Sequence, residues 1–197
     1  MRGPQETTMN FARVPMLLAL TVASTPALAD DCRFDDRAEL LAMSPEAFNH
    51  GPGQGWDALA ERAGCQLEIA GLLAAYRQQP KAAGHGGLAW HEATMRADAG
   101  QRDPAIALMR LTYKPQGADP EGWNHYVDAT IAFLDDDLPA LKRARARLAK
   151  LPMPAVSARE QGDDRRSAWP PRLQIVDSLI RCMYQPYALA SQSCPEA

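Results

Sequence analysis

Residues 123–150 read WNHYVDATIAFLDDDLPALKRARARLAK, and this stretch decides the fold. Asn124 to Leu134 reads as one helix, Asp135-Asp136-Asp137 as a turn, and Leu138 to Ala149 as a second helix. Acids precede the second helix, while Lys142, Arg143, Arg145, Arg147 and Lys150 crowd its C-terminal end. That distribution complements the helix dipole. Ala140 is small and sits early in the second helix, so the two helices can approach closely.

Working outward, the same order of residue types recurs. Trp56, Trp90 and Trp123 are 34 and 33 residues apart, and Ala70, Ala105 and Ala140 are 35 and 35 apart. Pro80, Pro115 and Pro152 follow those alanines by 10, 10 and 12 residues. The middle unit predicts a helix from Leu88 to Ala99, a stop at Gly100, and a second helix capped by Asp103 with Pro104 at its first position. Ile106, Met109 and Leu111 carry its apolar stripe towards Pro115. One hairpin cannot cover its own apolar face, so neighbours must stack. Strand signals are almost absent, with little alternation and abundant Ala, Leu, Arg and Gln.

These units resemble tetratricopeptide-type (TPR-like) repeats. The resemblance rests on the Gly100-to-Ala105 spacing, on Ala93 seven residues before Gly100, and on Ala140, Ala144 and Pro152. It implies an all-α fold of about three stacked antiparallel hairpins over residues 54–152, with the first unit the most degenerate. The chain is also similar to a family of secreted proteobacterial helical proteins. That similarity rests on Trp90-His91-Glu92, Tyr126 to Leu134, Trp169-Pro170-Pro171 and Val176 to Ile180. It implies a helical fold and an exported compartment, and it carries over no catalytic residue.

Flanking pieces complete the architecture. Asp36 to Met43 predicts a first helix, and Ser44-Pro45-Glu46 the cap and first turn of another. Asn49 to Gly55 is glycine-rich and expected to be a loop, as is the polar, proline-rich stretch 152–171. Leu173, Val176, Leu179, Ile180 and Met183 form a helical stripe, and a short helix near Pro186 to Ser191 follows. Residues 172–194 thus make a capping helix pair.

The N-terminus has the parts of a cleavable secretory signal over residues 1–29. Arg2 and Arg13 give a positive region, Met16 to Ala23 an apolar one, and Ala27-Leu28-Ala29 a small-x-small cleavage site. Met9 is as good an initiator as Met1. The expected compartment is periplasmic or secreted, and no segment reaches the ~20 apolar residues of a membrane span. Residues 30–197 then form one domain of 168 residues with 19 basic and 23 acidic side chains, a net of −4. Such a surface gives no general attraction to nucleic acid. All four cysteines fall in this domain, and an even count in an oxidising compartment favours two disulfides. Cys32–Cys65 and Cys182–Cys194 each close a local helical segment and are the expected pairs. Their spacing has no CxxC element, so no zinc site is expected.

Candidate chemistry is sparse. His91-Glu92-Ala93-Thr94-Met95 starts like a zinc-protease helix, but Met95 stands where the second histidine is needed. Glu92 and Arg96 should instead pair at i, i+4. The histidines, His50, His85, His91 and His125, match no metal template. No GxSxG, Walker or GxGxxG pattern occurs, so no cofactor is expected. Asp128 and Asp177 interrupt apolar helical runs, and a partly buried carboxylate needs donors from an indole, a histidine or an arginine. The reading that follows is an interaction module whose binding surface involves Trp90, His91, His125 and Asp128, with another envelope protein or peptide as partner. The alternative is a hydrolase using a carboxylate–histidine site of His91, His125 and Asp128. Oligomeric state is left open.

Overall fold

The computed structural model describes residues 36–50, 54–60, 64–153 and 169–192, with Gly3, Cys32, Arg62 and Cys194 as isolated positions. The expected signal segment (apart from Gly3), most of the 152–171 stretch and the side chain of His50 lie outside the described residues. Those described form ten α-helices and one 3-10 turn, with no strand among them. The helices are α1 (Arg37–Ala42), α2 (Pro45–His50), α3 (Asp57–Ala60), α4 (Gln66–Arg77), α5 (Gly87–Asp98), α6 (Arg102–Arg110), α7 (Trp123–Leu134), α8 (Leu138–Leu148), α9 (Leu173–Arg181) and α10 (Tyr187–Gln192). None is long and apolar enough to cross a membrane.

The hairpin read from residues 123–150 is α7 and α8. Asp137 caps α8 by accepting from Ala140 N at 2.8 Å, and Asp136 takes a left-handed conformation in the turn. The middle hairpin is α5 and α6, with one shift. α6 begins at Arg102, so Pro104 is its third residue and Asp103 lies in the first turn, not at the cap. First-turn N–H groups have no intrahelical acceptor, which is why a proline is tolerated there. α6 also ends at Arg110, and the chain turns at Leu111 and Thr112, whose N–H groups still bond back to Leu108 and Met109, before 113–115 run on without regular structure; 111–115 form a strap. At the N-terminal end, Ser44 Oγ accepts from Ala47 N at 3.2 Å, the expected cap, and α2 continues through Asn49 to His50, where a loop was expected.

Spacing along α5 makes it the wall between two apolar clusters. Leu88 and Met95, seven residues apart, face a cluster with Phe48, Trp56, Leu59 and the α4 stripe of Ile69, Leu72, Leu73 and Tyr76. Trp90, Ala93 and Ala97 face the other, with Val127, Phe133, Leu141, Leu148, Val176 and Leu179. α4 packs along α5, α5 against α6, α7 against α8, and α9 against α7, α8 and α10. The alanines of the repeat serve close approach at Ala70 and Ala105, both fully buried, and less so at Ala140, which is half-buried. The tryptophans enter at different registers: Trp56 precedes α3, Trp90 is the fourth residue of α5, and Trp123 is the first of α7. Burying each of the fully enclosed leucines contributes about 1.5–3 kcal/mol.

Both expected cysteine pairs are formed. Cys32–Cys65 staples the first cluster and Cys182–Cys194 ties α9 to the chain beyond α10.

Candidate binding surface at the α6–α7 strap

The strap 111–115 is held by side chains from the first turn of α7. Trp123 Nε1 donates to the Thr112 carbonyl at 2.8 Å. Lys114 N donates to Asn124 Oδ1 at 2.8 Å, and Asn124 Nδ2 returns a bond to the Lys114 carbonyl at 2.9 Å. Asp119 takes the backbone N–H groups of Trp123 and Asn124, both at 2.7 Å, and so anchors the helix start that presents these side chains. Gly122 sits at φ +72, a left-handed conformation that suits glycine.

With its backbone tied down, the strap presents its side chains outward. Leu111 is 69% exposed and Tyr113 40%. Together with Gly86, Gly87, Pro115 and Trp123 they line an apolar cleft of about 410 Å3. Behind the cleft, Trp123 meets Trp90 edge-on at 4.8 Å and Tyr126 at 5.7 Å, and the Arg172 guanidinium lies 5.0 Å from its ring centre.

Tyr113 also walls a second, charged cleft of about 340 Å3 between α7 and α8, which includes Asp128, Asp135, Asp137, Arg143 and Arg147. Its hydroxyl donates to Asp128 Oδ1 at 2.7 Å, while Arg147 donates to Asp128 Oδ2 at 2.9 Å. Burial, then the Asp128 bond and charge, push the Tyr113 phenol up to about 12. Arg147 Nε also points at His125 Nδ1 across 3.4 Å. Arg145, two residues earlier on α8, reaches the other way to Asp177 of α9 at 2.8 Å. Residues two apart on a helix point about 200° apart, so α8 clamps both neighbours. An arginine thus donates to each of the carboxylates that interrupt apolar runs, and Asp128 accepts from Tyr113 as well.

Of the four residues singled out by the sequence, Asp128 lines the charged cleft. Trp90 is a buried core ring, and His125 and Asp128 meet at Arg147. His91 rests against Trp56 at 4.6 Å, in the neighbourhood of the first cluster. Glu92 and Arg96 pair as expected at 2.8 Å, and Arg77 of α4 joins them at 2.9 Å on the other carboxylate oxygen. Sequence reasoning missed the strap, because Thr112-Tyr113-Lys114 reads as helix continuing to Pro115, and it missed Arg172. Among the described residues no group of three or more His, Cys, Asp or Glu could hold a metal ion.

Comparison with family models, curated proteins and solved structures returns no match for this chain.

Proposed function

We propose that this chain is an exported, non-enzymatic helical-repeat protein that docks an extended segment of another envelope protein along the α6–α7 strap. The observation that carries this reading is the pairing of exposed Leu111 and Tyr113 with a cleft walled by Trp123, on a backbone already tied to Trp123 and Asn124. Apolar side chains held on a fixed backbone lose little further freedom on binding. The neighbouring charged cleft around Asp128 and Arg147 fits a segment with a bulky apolar residue beside a charged one. The TPR-like stacking of α5–α6 on α7–α8 is part of the same proposal, since repeat hairpins generate such surfaces. Export is supported by the signal-like residues 1–29 and by two disulfides, which persist in oxidising compartments.

The test places a photo-cross-linking residue at position 111, and at exposed Glu68 on α4 as the control, in cells with their envelope intact. The expected result is one discrete cross-link specific to position 111. A synthetic peptide of the captured segment should bind the purified chain, and Leu111→Glu should weaken it by about tenfold or more. The same background capture at both positions would overturn the reading.

A further inference from the structure

Away from the strap, a cavity of about 220 Å3 lies where the end of α5 and the start of α6 meet the turn after α7 and the chain entering α10. Its charged wall residues are Asp98, Arg102 and Asp136, and its aromatic ones are Phe133, Tyr184 and Tyr187. Asp98 Oδ1 is sealed from solvent and has no hydrogen-bond donor among the described residues. A buried carboxylate oxygen without a donor is rare in folded proteins, and it leaves the charge of that carboxylate to be balanced from nearby.

We propose that this cavity binds a small alkylammonium ion, its charge balanced by the Asp98 carboxylate through the part of that side chain that lines the cavity, and its carbon body against Phe133, Tyr184 and Tyr187.

Three features point to a cation of this kind. Arg102, the positive wall residue, is already engaged, at 2.7 Å from Asp135 and 3.9 Å from Asp136, so it leaves Asp98 uncompensated. Asp98 is the last residue of α5, where the helix carbonyls add further negative potential. Aromatic walls attract an ammonium group through the ring faces and bury its alkyl part. A hard divalent cation would need several oxygen ligands, whereas half of this charged and aromatic wall is rings. At ~30 Å3 per water-sized element the space suits an amine of four or five carbons. Burial holds the Asp98 carboxyl up to about 6, so an ammonium ion must draw it into the ionised form. The other charged or titratable groups facing it are Arg102 from α6, Asp136 from the turn after α7, Tyr184 from the turn before α10 and Tyr187 from the start of α10. Tyr184, exposed and at a left-handed φ of 71, stands at the rim.

The experiment is calorimetric titration of the purified full chain with n-butylammonium, and with n-butanol as the uncharged analogue, at pH 8 and pH 5. Saturable n-butylammonium binding is expected at pH 8, about tenfold weaker at pH 5 where Asp98 is mostly protonated. Asp98→Asn should weaken it by about tenfold or more while circular dichroism shows an intact fold. Tyr184→Ala, at the exposed rim, should weaken it by about threefold. A parallel titration with Nα-acetyl-lysine N-methylamide separates the sources: binding means a protein lysine can enter, and its failure beside n-butylammonium binding means a free amine. No saturation by n-butylammonium, equal binding of n-butanol, or undiminished binding in Asp98→Asn would each overturn the proposal.

Discussion

Tyr113 donates its hydroxyl hydrogen to Asp128 Oδ1 across 2.7 Å, tying the strap to the second turn of the helix it leads into. The bond joins the apolar cleft to the charged one, because Tyr113 lines both. Removing it leaves Asp128 with Arg147 and frees the side chain at the middle of the strap.

Tyr113→Phe is therefore expected to lower stability by about 1 kcal/mol or less, given the partial exposure of the pair. The folded-state pKa is raised from 10.0 to about 12, so the stabilisation is fully present below pH 10 and is lost as pH rises through 12. Urea unfolding of both chains at pH 8 and pH 11 checks this. The gap between them should narrow at pH 11, and a constant gap would mean that the Tyr113 phenol ionises alike in the folded and unfolded chain.

Glu92 is 2% exposed and its two oxygens are divided between Arg77 and Arg96, at 2.9 and 2.8 Å. Glu92→Ala removes the anion that joins α4 to α5 and leaves two guanidinium groups without it. Because both arginines remain partly exposed, the expected loss is about 2–3 kcal/mol, at the lower end for broken buried pairs. Glu92→Gln should recover part of it by still accepting hydrogen bonds. Denaturant midpoints that match for the wild type and Glu92→Ala would show that solvent already screens the pair.

What the sequence made legible follows from where each signal is local. The α5–α6 and α7–α8 hairpins were readable because Gly100 and Asp135 to Asp137 stop helices whose apolar faces repeat nearby. The Glu92–Arg96 pair was readable because its partners are one turn apart, whereas Arg77 reaches Glu92 from another helix. Asp98 gave no signal, since an acid in the last turn of a helix looks solvated. Its surroundings come from elements distant in the chain, Phe133 of α7 and Tyr187 of α10 among them. The regular tryptophan spacing proved a poor guide to register, because sequence distance ignores the one-turn α3 and the strap before α7.

Asp98 also makes a stability prediction independent of any ligand. Its carboxyl is raised from 3.8 to about 6 by burial, so the fold prefers the protonated acid. The contribution is complete below pH 3.8 and is lost as pH rises through 6. Asp98→Asn, which cannot ionise, should be more stable than the wild type by about 1–2 kcal/mol at pH 7.5 after allowance for partial exposure, and nearly equal at pH 4. Thermal melts at the two pH values test this. An advantage that is the same at both would place the effect outside ionisation.

Gly55 is at φ +61, and a Cβ there would overlap the Phe48 carbonyl oxygen. The neighbour is backbone, and Trp56 N donates to that same carbonyl at 3.3 Å, so it cannot yield without breaking the turn under Trp56. Gly55→Ala should cost about 2–4 kcal/mol, from the left-handed conformation and the clash together. Chemical denaturation followed by tryptophan fluorescence measures it, and a loss below about 1 kcal/mol would mean that this turn rearranges freely.

The two disulfides should be separable by energy and by place. Cys32–Cys65 spans 33 residues and Cys182–Cys194 spans 12. If each acts by restricting the unfolded chain, replacing the first pair by alanine costs about 3–4 kcal/mol and the second about 1 kcal/mol less. The losses should also fall on different helices, because Cys32 and Cys65 pack with Phe48 and Tyr76, while Cys182 packs with Val176 and Leu179. Hydrogen exchange should therefore show faster opening across α4 in the Cys32→Ala/Cys65→Ala chain, with α7 and α8 keeping most of their protection. Equal acceleration throughout would mean that α5, which Leu88 and Trp90 bind to opposite clusters, couples the two halves into one cooperative unit.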